Sequence, residues 1–386
     1  MERLKSTGLL YVLLITLGPF IHCREAYMSP YVPPSTGYLV VESYIGGNVP
    51  VTCKLSRVAR LSADSTMLPA PGAQVQVEGN DNSIYPLTDQ GKGMYGSSGV
   101  LSLNPSAQYR LRITTATGGK YLSDYVPYKI TPAIDSINWE SDPDGVRIFA
   151  NAHDDAAATR YYMWSYDETW EYRSGEESMV YYDETDHQIH QRDSSQQIYR
   201  CWRNYSSTSI LTFSTDKLSG DVVYEYPLRY IPINSEPISV LYSILVRQYA
   251  VTRDGYEFLS LMRQNTESKG TIFDAQPSEL SGNIHSLSNP GETVIGYISA
   301  GSVIQQRIFI AGYQLPYWRY VFSCLDMDSL VPPAKFAKTF TDGLYIPVMA
   351  NPRDPSPTPG YFANLEGCID CRLQGGSTFK PSFWPN

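Results

Sequence analysis

From Tyr38 onward, apolar and polar residues alternate over short runs broken by glycine, proline, asparagine and aspartate. Alternation at period two is the signature of strands with one face in a core. Leu39-Val40-Val41-Glu42-Ser43-Tyr44-Ile45 and the run 51–55 flank Gly46-Gly47-Asn48, which predicts a hairpin. Runs at 73–78, 83–87, 93–97 and 109–115 follow, set apart by Pro69, Pro71-Gly72, Gly79-Asn80-Asp81-Asn82 and Gly118-Gly119. This spacing, with hardly any helical period, predicts an immunoglobulin-like β-sandwich over 38–130.

Thr131-Pro132 marks the expected boundary, and a second β-rich region spans 131–386. Its predicted strands are 134–139, 146–151, 161–166 running on to Tyr172, 209–213, 222–226 and 240–251. The runs 292–300 and 303–311 predict another hairpin-like pair around Gly301. One segment, about 253–269, has helical character, with Thr252 as cap, Asp254 in the first turn and Gly270 as terminator. Tyr256, Phe258, Leu259, Leu261 and Met262 give it an apolar face, expected to plug one side or edge of the second sandwich. The stretch 173–197 is polar without periodicity and reads as a long loop or flexible hairpin. The predicted fold class is therefore mainly β: two immunoglobulin-like sandwiches, the second with one inserted α-helix.

The first residues follow a different logic. Glu2, Arg3 and Lys5 precede an apolar run at 9–17, then Phe20-Ile21-His22-Cys23. Charge, short apolar core and cysteine make a lipoprotein export signal over 1–22, with lipid expected on Cys23 and a Pro-rich tether over 23–37. The apolar run is shorter than the ~20 residues a spanning helix needs. Simple secretion is the alternative, although no Ala-x-Ala site stands nearby.

Composition fits an extracytoplasmic β protein, with 31 Tyr, 27 Pro and only 18 % charged residues. A net charge of −9 without a basic run excludes the usual footprint of nucleic-acid binding. If Cys23 carries lipid, five cysteines remain and at least one is unpaired. Cys53 shares the apolar face of its strand with Val51 and Leu55, which makes it the candidate free thiol. Cys201, Cys324, Cys368 and Cys371 then form two bridges in one of three pairings.

Several motifs touch on chemistry, and the residues around each point to structure. Gly91-Lys92-Gly93-Met94-Tyr95-Gly96 has phosphate-loop spacing but no helix after it, so these glycines read as a turn. Cys368-Ile369-Asp370-Cys371 lacks the helix N-terminus that makes such thiols reactive, and no second cysteine pair completes a zinc site. His187 and His190 stand near Asp183, Glu184 and Asp186, yet residues three apart on a strand face opposite ways. His153 and His285 are isolated. Asp167-Glu168-Thr169-Trp170-Glu171 sets carboxylates beside an aromatic, but adjacent strand positions cannot form a carboxylate pair across a cleft. No catalytic residue, cofactor or metal ligand is assigned on these grounds.

Taken together, segments spread along the chain resemble one family. They are Cys23-Arg-Glu, Tyr38-Leu-Val-Val-Glu-Ser-Tyr-Ile, Tyr109-Arg-Leu-Arg-Ile and Tyr121-Leu-Ser-Asp-Tyr-Val-Pro-Tyr-Lys. Then come Glu168-Thr-Trp-Glu-Tyr, Leu241-Tyr-Ser-Ile-Leu-Val-Arg-Gln-Tyr-Ala, Gln264-Asn-Thr-Glu and Phe273-Asp-Ala-Gln-Pro-Ser. Gly282-Asn-Ile-His, Val294-Ile-Gly-Tyr-Ile-Ser-Ala and Cys368-Ile-Asp-Cys with Phe383-Trp complete the order. The chain is similar to the domain-of-unknown-function 4249 family of Bacteroidota lipoproteins. That resemblance implies an outer-membrane lipoprotein held by acylated Cys23, commonly encoded beside a TonB-dependent receptor. It brings no catalytic residues. Relatives often carry a cysteine after the His of Gly-Asn-Ile-His, where this chain has Ser286. The expected function is a non-enzymatic accessory or binding subunit of a TonB-dependent transport system. The alternatives are a surface hydrolase of glycans or peptides, with a cleft lined by Glu168, Glu171 or His285, and a structural envelope protein.

Overall fold

The computed structural model describes residues 37–58, 67–267, 282–322, 324 and 329–385. The export segment 1–22, Cys23, and all of the tether but Gly37 lie outside the described residues. The protein is 50 % strand and 12 % helix, so strand pairing sets its architecture.

In the first region, Leu39–Gly46 and Pro50–Val58 form the predicted hairpin, with Val41 opposite Leu55 and Ser43 opposite Cys53. Pro50–Val58 pairs with Met94–Val100, and the ladder continues through Ile84–Gly91 and Gln74–Gly79 to Gln108–Thr114. Instead of ending there, Gln108–Thr114 also pairs with Val126–Lys129. Val126–Lys129 runs parallel to Ser299–Gly301, which runs parallel to Leu39–Gly46. The circuit closes into a barrel-like sheet. This corrects the expected open sandwich for this region: the closing strand comes from far along the chain, and closure removes the free edges that a sandwich must protect. Inside lie Val41, Cys53, Leu55, Val77, Tyr95, Tyr109, Leu111 and Ile113, almost wholly buried.

The second region stacks two sheets. Ile134–Asp142, Gly145–His153 and Val222–Pro232 form one. Arg200–Ser206, Tyr161–Arg173, Leu241–Ala250 and Val303–Ala311 form the other, with Leu211–Ser214 also paired to Tyr161–Arg173. Val146, Ile148 and Ile231 of the first sheet pack on Trp164, Tyr242 and Ile244 of the second.

The hairpin expected around Gly301 does not form. Ser299–Gly301 belongs to the closed sheet, whereas Val303–Ala311 pairs with Leu241–Ala250. Residue Ser302 is the crossing point: its side chain accepts the Thr131 amide at 2.8 Å, and its carbonyl accepts the Thr131 hydroxyl at 2.5 Å. Asn48 clamps Val303 with two bonds, donating at 2.8 Å and accepting at 2.7 Å. Gly301 is required here by close approach, since a Cβ would collide with the Lys129 carbonyl and the Tyr44 hydroxyl.

The helix spans Arg253–Glu267, and its expected end at 269 with Gly270 lies outside the described residues. Thr252 accepts the Gly255 amide at 3.1 Å, the predicted cap. Phe258 is buried against Tyr297 and Tyr256 meets Tyr161, so the helix covers one side of the five-stranded sheet.

The polar stretch forms a hairpin, Val180–Asp183 with Gln188–Gln191. The tail builds a small sheet from Ser329–Val331, Tyr361–Leu365 and Tyr345–Ala350. Of the three open disulfide pairings, the structure joins Cys201 to Cys371 and Cys324 to Cys368. Cys53 is free and buried, and burial pushes its thiol up to about 12.

Candidate functional site

Strict alternation sorts the five-stranded sheet into two faces. Along Tyr161–Arg173, Tyr162, Trp164, Tyr166 and Glu168 point into the core, leaving Ser165, Asp167 and Thr169 on the other face. Register adds Leu245 opposite Asp167, Arg247 opposite Ser165, then Arg307 opposite Leu245 and Gln305 opposite Arg247. The outer face is therefore polar, and both ends are walled. The first region closes one end with Tyr44, Pro50 and Thr52, leaving a cleft of about 440 Å³ against Arg247, Tyr249 and Gln305. At the other end the tail folds back, placing the Phe383 ring 3.6 Å from the Arg307 guanidinium and burying Trp384.

The charges on this outer face are unequal. Arg247 donates to Asp167 at 2.5 Å, and Ser206 donates to the same carboxylate at 2.7 Å. Burial pushes the Asp167 carboxyl up, but these bonds and the nearby positive charge of Arg247 and Arg307 outweigh it, holding the pKa below the usual carboxylate range. Arg307 donates to Ser243 at 2.9 Å. Among the described residues, no carboxylate forms an ion pair with it. Burial lowers its pKa, Asp167 opposes that shift, and Arg247 adds to it. Tyr249 bonds Ser165 at 3.1 Å and meets the Tyr44 ring edge-on at 4.8 Å, fixing the aromatic wall.

The residues singled out in the sequence do not converge. Glu168 is buried in the core, where its Oε1 accepts from Arg229 at 2.9 Å and Tyr242 at 2.7 Å while Oε2 has no hydrogen-bond partner. Glu171 sits on the outer face, bonded by Trp384 at 3.2 Å and Arg200 at 3.1 Å. His285 lies on the outside of the closed sheet, 3.2 Å from Asp124. His153 pairs with Asp135 at 2.7 Å on the three-stranded sheet. Cys23 lies outside the described residues, and Cys368 and Cys371 belong to separate bridges. Gly91, Lys92 and Gly93 all take positive φ in a strand-to-strand turn. Ser286 donates to Glu292 at 3.1 Å beside the closed sheet, in a different sheet from Cys201.

One cluster is assembled by a route the sequence reading did not foresee. The hairpin brings Asp183, Asp186 and His190 together, with ligand atoms within 4.8 Å of one another, although no helix is present. These are the side chains able to hold a cation. Each is accessible and already hydrogen-bonded: Asp183 by Thr185, Asp186 by Gln188 and His190.

Arg247 and Arg307 were the residues missed. A signal was present in Leu241-Tyr-Ser-Ile-Leu-Val-Arg-Gln-Tyr-Ala, where Ser243, Arg247 and Tyr249 put polar groups on one face of an otherwise apolar strand. Nothing in the sequence placed Arg307 beside it.

Fold and cleft together define a mainly β protein that sets a charged, aromatic-walled groove at the seam of two sheet systems. The chain belongs to the domain-of-unknown-function 4249 family, whose model matches residues 27–307. That match includes Arg247 and Arg307 and stops before the cysteine-bearing tail. No curated protein matches the chain.

Proposed function

We propose that this protein is a non-enzymatic, lipid-anchored binding subunit of the bacterial outer membrane, working beside a TonB-dependent barrel in a Bacteroidota cell. The observation that carries the binding half of this reading is the cleft between Tyr44 and Arg247, where strands from two sheet systems meet over a half-buried charged floor. Charge, apolar run and Cys23 at the start of the chain support the anchor. The face-to-face sheets of the second region act, in this reading, as an immunoglobulin-like platform behind the cleft. The scatter of Glu168, Glu171 and His285 over three separate surfaces favours binding over hydrolysis, which needs two carboxylates facing one substrate.

Tethering matters physically because it turns a second binding event into an intramolecular one. The test is affinity capture from detergent-solubilised outer membranes with a C-terminally tagged native chain and a Cys23→Ala control. Recovery of a TonB-dependent barrel with the native chain, and its loss with the control, is the expected result. Recovery of acylated chain alone overturns the transport role.

A further inference from the structure

We infer that the floor running from the cleft beneath Tyr44 and Tyr249 along the sheet toward Arg307 binds a singly charged carboxylate, with Arg247 at the cleft and Arg307 diagonally next to it in the register. The inference deepens the binding role proposed above and rests on it only for location.

Beside Arg247 and Arg307 the outer face carries one carboxylate, Asp167, while Glu171 further along is paired with Arg200, leaving one positive charge in excess on a partly desolvated floor. The Arg247 side chain is 26 % exposed and Asp167 37 %, so the pair is neither dissolved in solvent nor sealed in the core. Arg307 is held by a neutral hydroxyl, the fully buried Ser243, and by the face of Phe383. Neither contact neutralises it. A guanidinium with no carboxylate partner among the described residues gains most from an anion that arrives with its own paired acceptors, and a carboxylate matches the planar fork of N–H donors.

The same balance selects among anions. Asp167 stays ionised because Arg247 and Arg307 both stabilise it. A dianion such as a phosphate monoester would face that fixed negative charge at short range, whereas a monoanion restores neutrality. Tyr249, Tyr44 and Val303 offer apolar and aromatic surface above the charged floor, and Thr52 and Gln305 offer uncharged hydrogen-bonding groups at the rim. Such walls suit a ligand whose remainder is uncharged.

The carboxylate can sit on a sugar or on an amino acid, so the test uses both. The full chain, purified in detergent, is titrated calorimetrically at low salt with D-galacturonate and with N-acetyl-alanine. Galactose and N-acetyl-alaninamide serve as uncharged partners, and inorganic phosphate as the dianion. Expected is saturable binding of one carboxylate probe, absent for its uncharged partner and weaker for phosphate. Arg307→Gln, which keeps a donor for Ser243, lowers affinity about tenfold. Asp167→Asn moves the other way, tightening binding about threefold by freeing Arg247 from its internal partner. A merely structural ion pair would not produce that opposite sign. Phosphate binding more tightly than both carboxylates, no saturable binding of either, or unchanged affinity in both variants overturns the proposal. If Arg307→Gln does not fold, the direction of the Asp167→Asn effect decides. Loss of barrel capture with carboxylate binding intact would overturn the transport role alone.

Discussion

The two sheet systems solve the problem of a stable β core in opposite ways. The closed sheet leaves no edge within its circuit and fills its interior with aliphatic and tyrosine side chains, keeping charge outside. Glu78, for instance, lies on its outer surface with Arg110 and Arg112. The stacked sheets keep edges and carry polar groups in the core itself. Glu168 sits there with Arg229 and Tyr242, Asp221 bonds Tyr162 and Thr215, and Trp164 donates to Gln248. Closure allows an apolar interior to specify one arrangement, because each strand has neighbours on both sides. Open stacked sheets can slide, and a buried polar network that is satisfied in only one register resists sliding. The charged floor of the cleft, with Arg247, belongs to the second system, and Tyr44, Pro50 and Thr52 of the first wall it.

That contrast can be broken most severely at Glu168. Its carboxylate is 1 % exposed, so Arg229→Met leaves a buried charge without its ion partner and costs about 3–5 kcal/mol. Urea unfolding should show this loss. The double variant Glu168→Gln with Arg229→Met should recover most of it, and equal losses in both would mean the network does not act as a pair.

The disulfide Cys201–Cys371 ties the tail to the stacked sheets across 170 residues, and replacing both cysteines by serine should cost about 2–5 kcal/mol. Limited proteolysis, read on reducing gels because Cys324–Cys368 still spans the cut, should then cleave the tail after residue 329 before the closed sheet is cut. Simultaneous loss of both regions would show that the two do not differ in independence.

In the closed sheet, Leu111→Ala deletes fully buried methyl groups and should cost about 2–4 kcal/mol, read as a shift in the urea midpoint. If the paired design described above is right, this loss adds to that of Arg229→Met within about 0.5 kcal/mol, since the sites lie in separate cores.

The smallest effect is pH-dependent. Partial burial pushes the Glu78 carboxyl up, yet hydrogen bonds from Arg112, Gln76 and Arg110 hold it at about 2. The folded pKa is thus below the unfolded value of about 4.3. Glu78 therefore stabilises the fold above pH 4.3, and the contribution fades as pH falls toward 2. Glu78→Gln should lower the thermal midpoint at pH 7 and have little effect near pH 2. An equal decrease at both pH values would point to packing instead of charge.

Much of the strand content was legible because alternation reports burial directly. The runs around Val41, Leu55, Leu111, Ile148 and Ile244 are strands in the structure, and Thr252 caps the helix as its hydroxyl chemistry predicts. Arg200–Ser206 was missed because Arg200, Arg203 and Asn204 dilute its pattern, although Cys201 and Trp202 are buried. The Asp183–Asp186–His190 cluster was missed because cross-strand neighbours are set by hairpin register, while sequence spacing alone suggested opposite faces.

What the sequence determined by itself was local: which residues form strands, which side of each strand is apolar, where Cys53 is buried, and which four cysteines remain to pair. Periodicity and turn chemistry act over a few residues, so one chain carries that information openly. Only the tertiary structure decided that Ser299–Gly301 closes the first sheet, that Cys201 meets Cys371, and that Arg307 lies diagonally next to Arg247 on one sheet face. These are contacts between distant segments. They depend on which edges remain to be covered once every strand is placed, and that is a property of the whole fold.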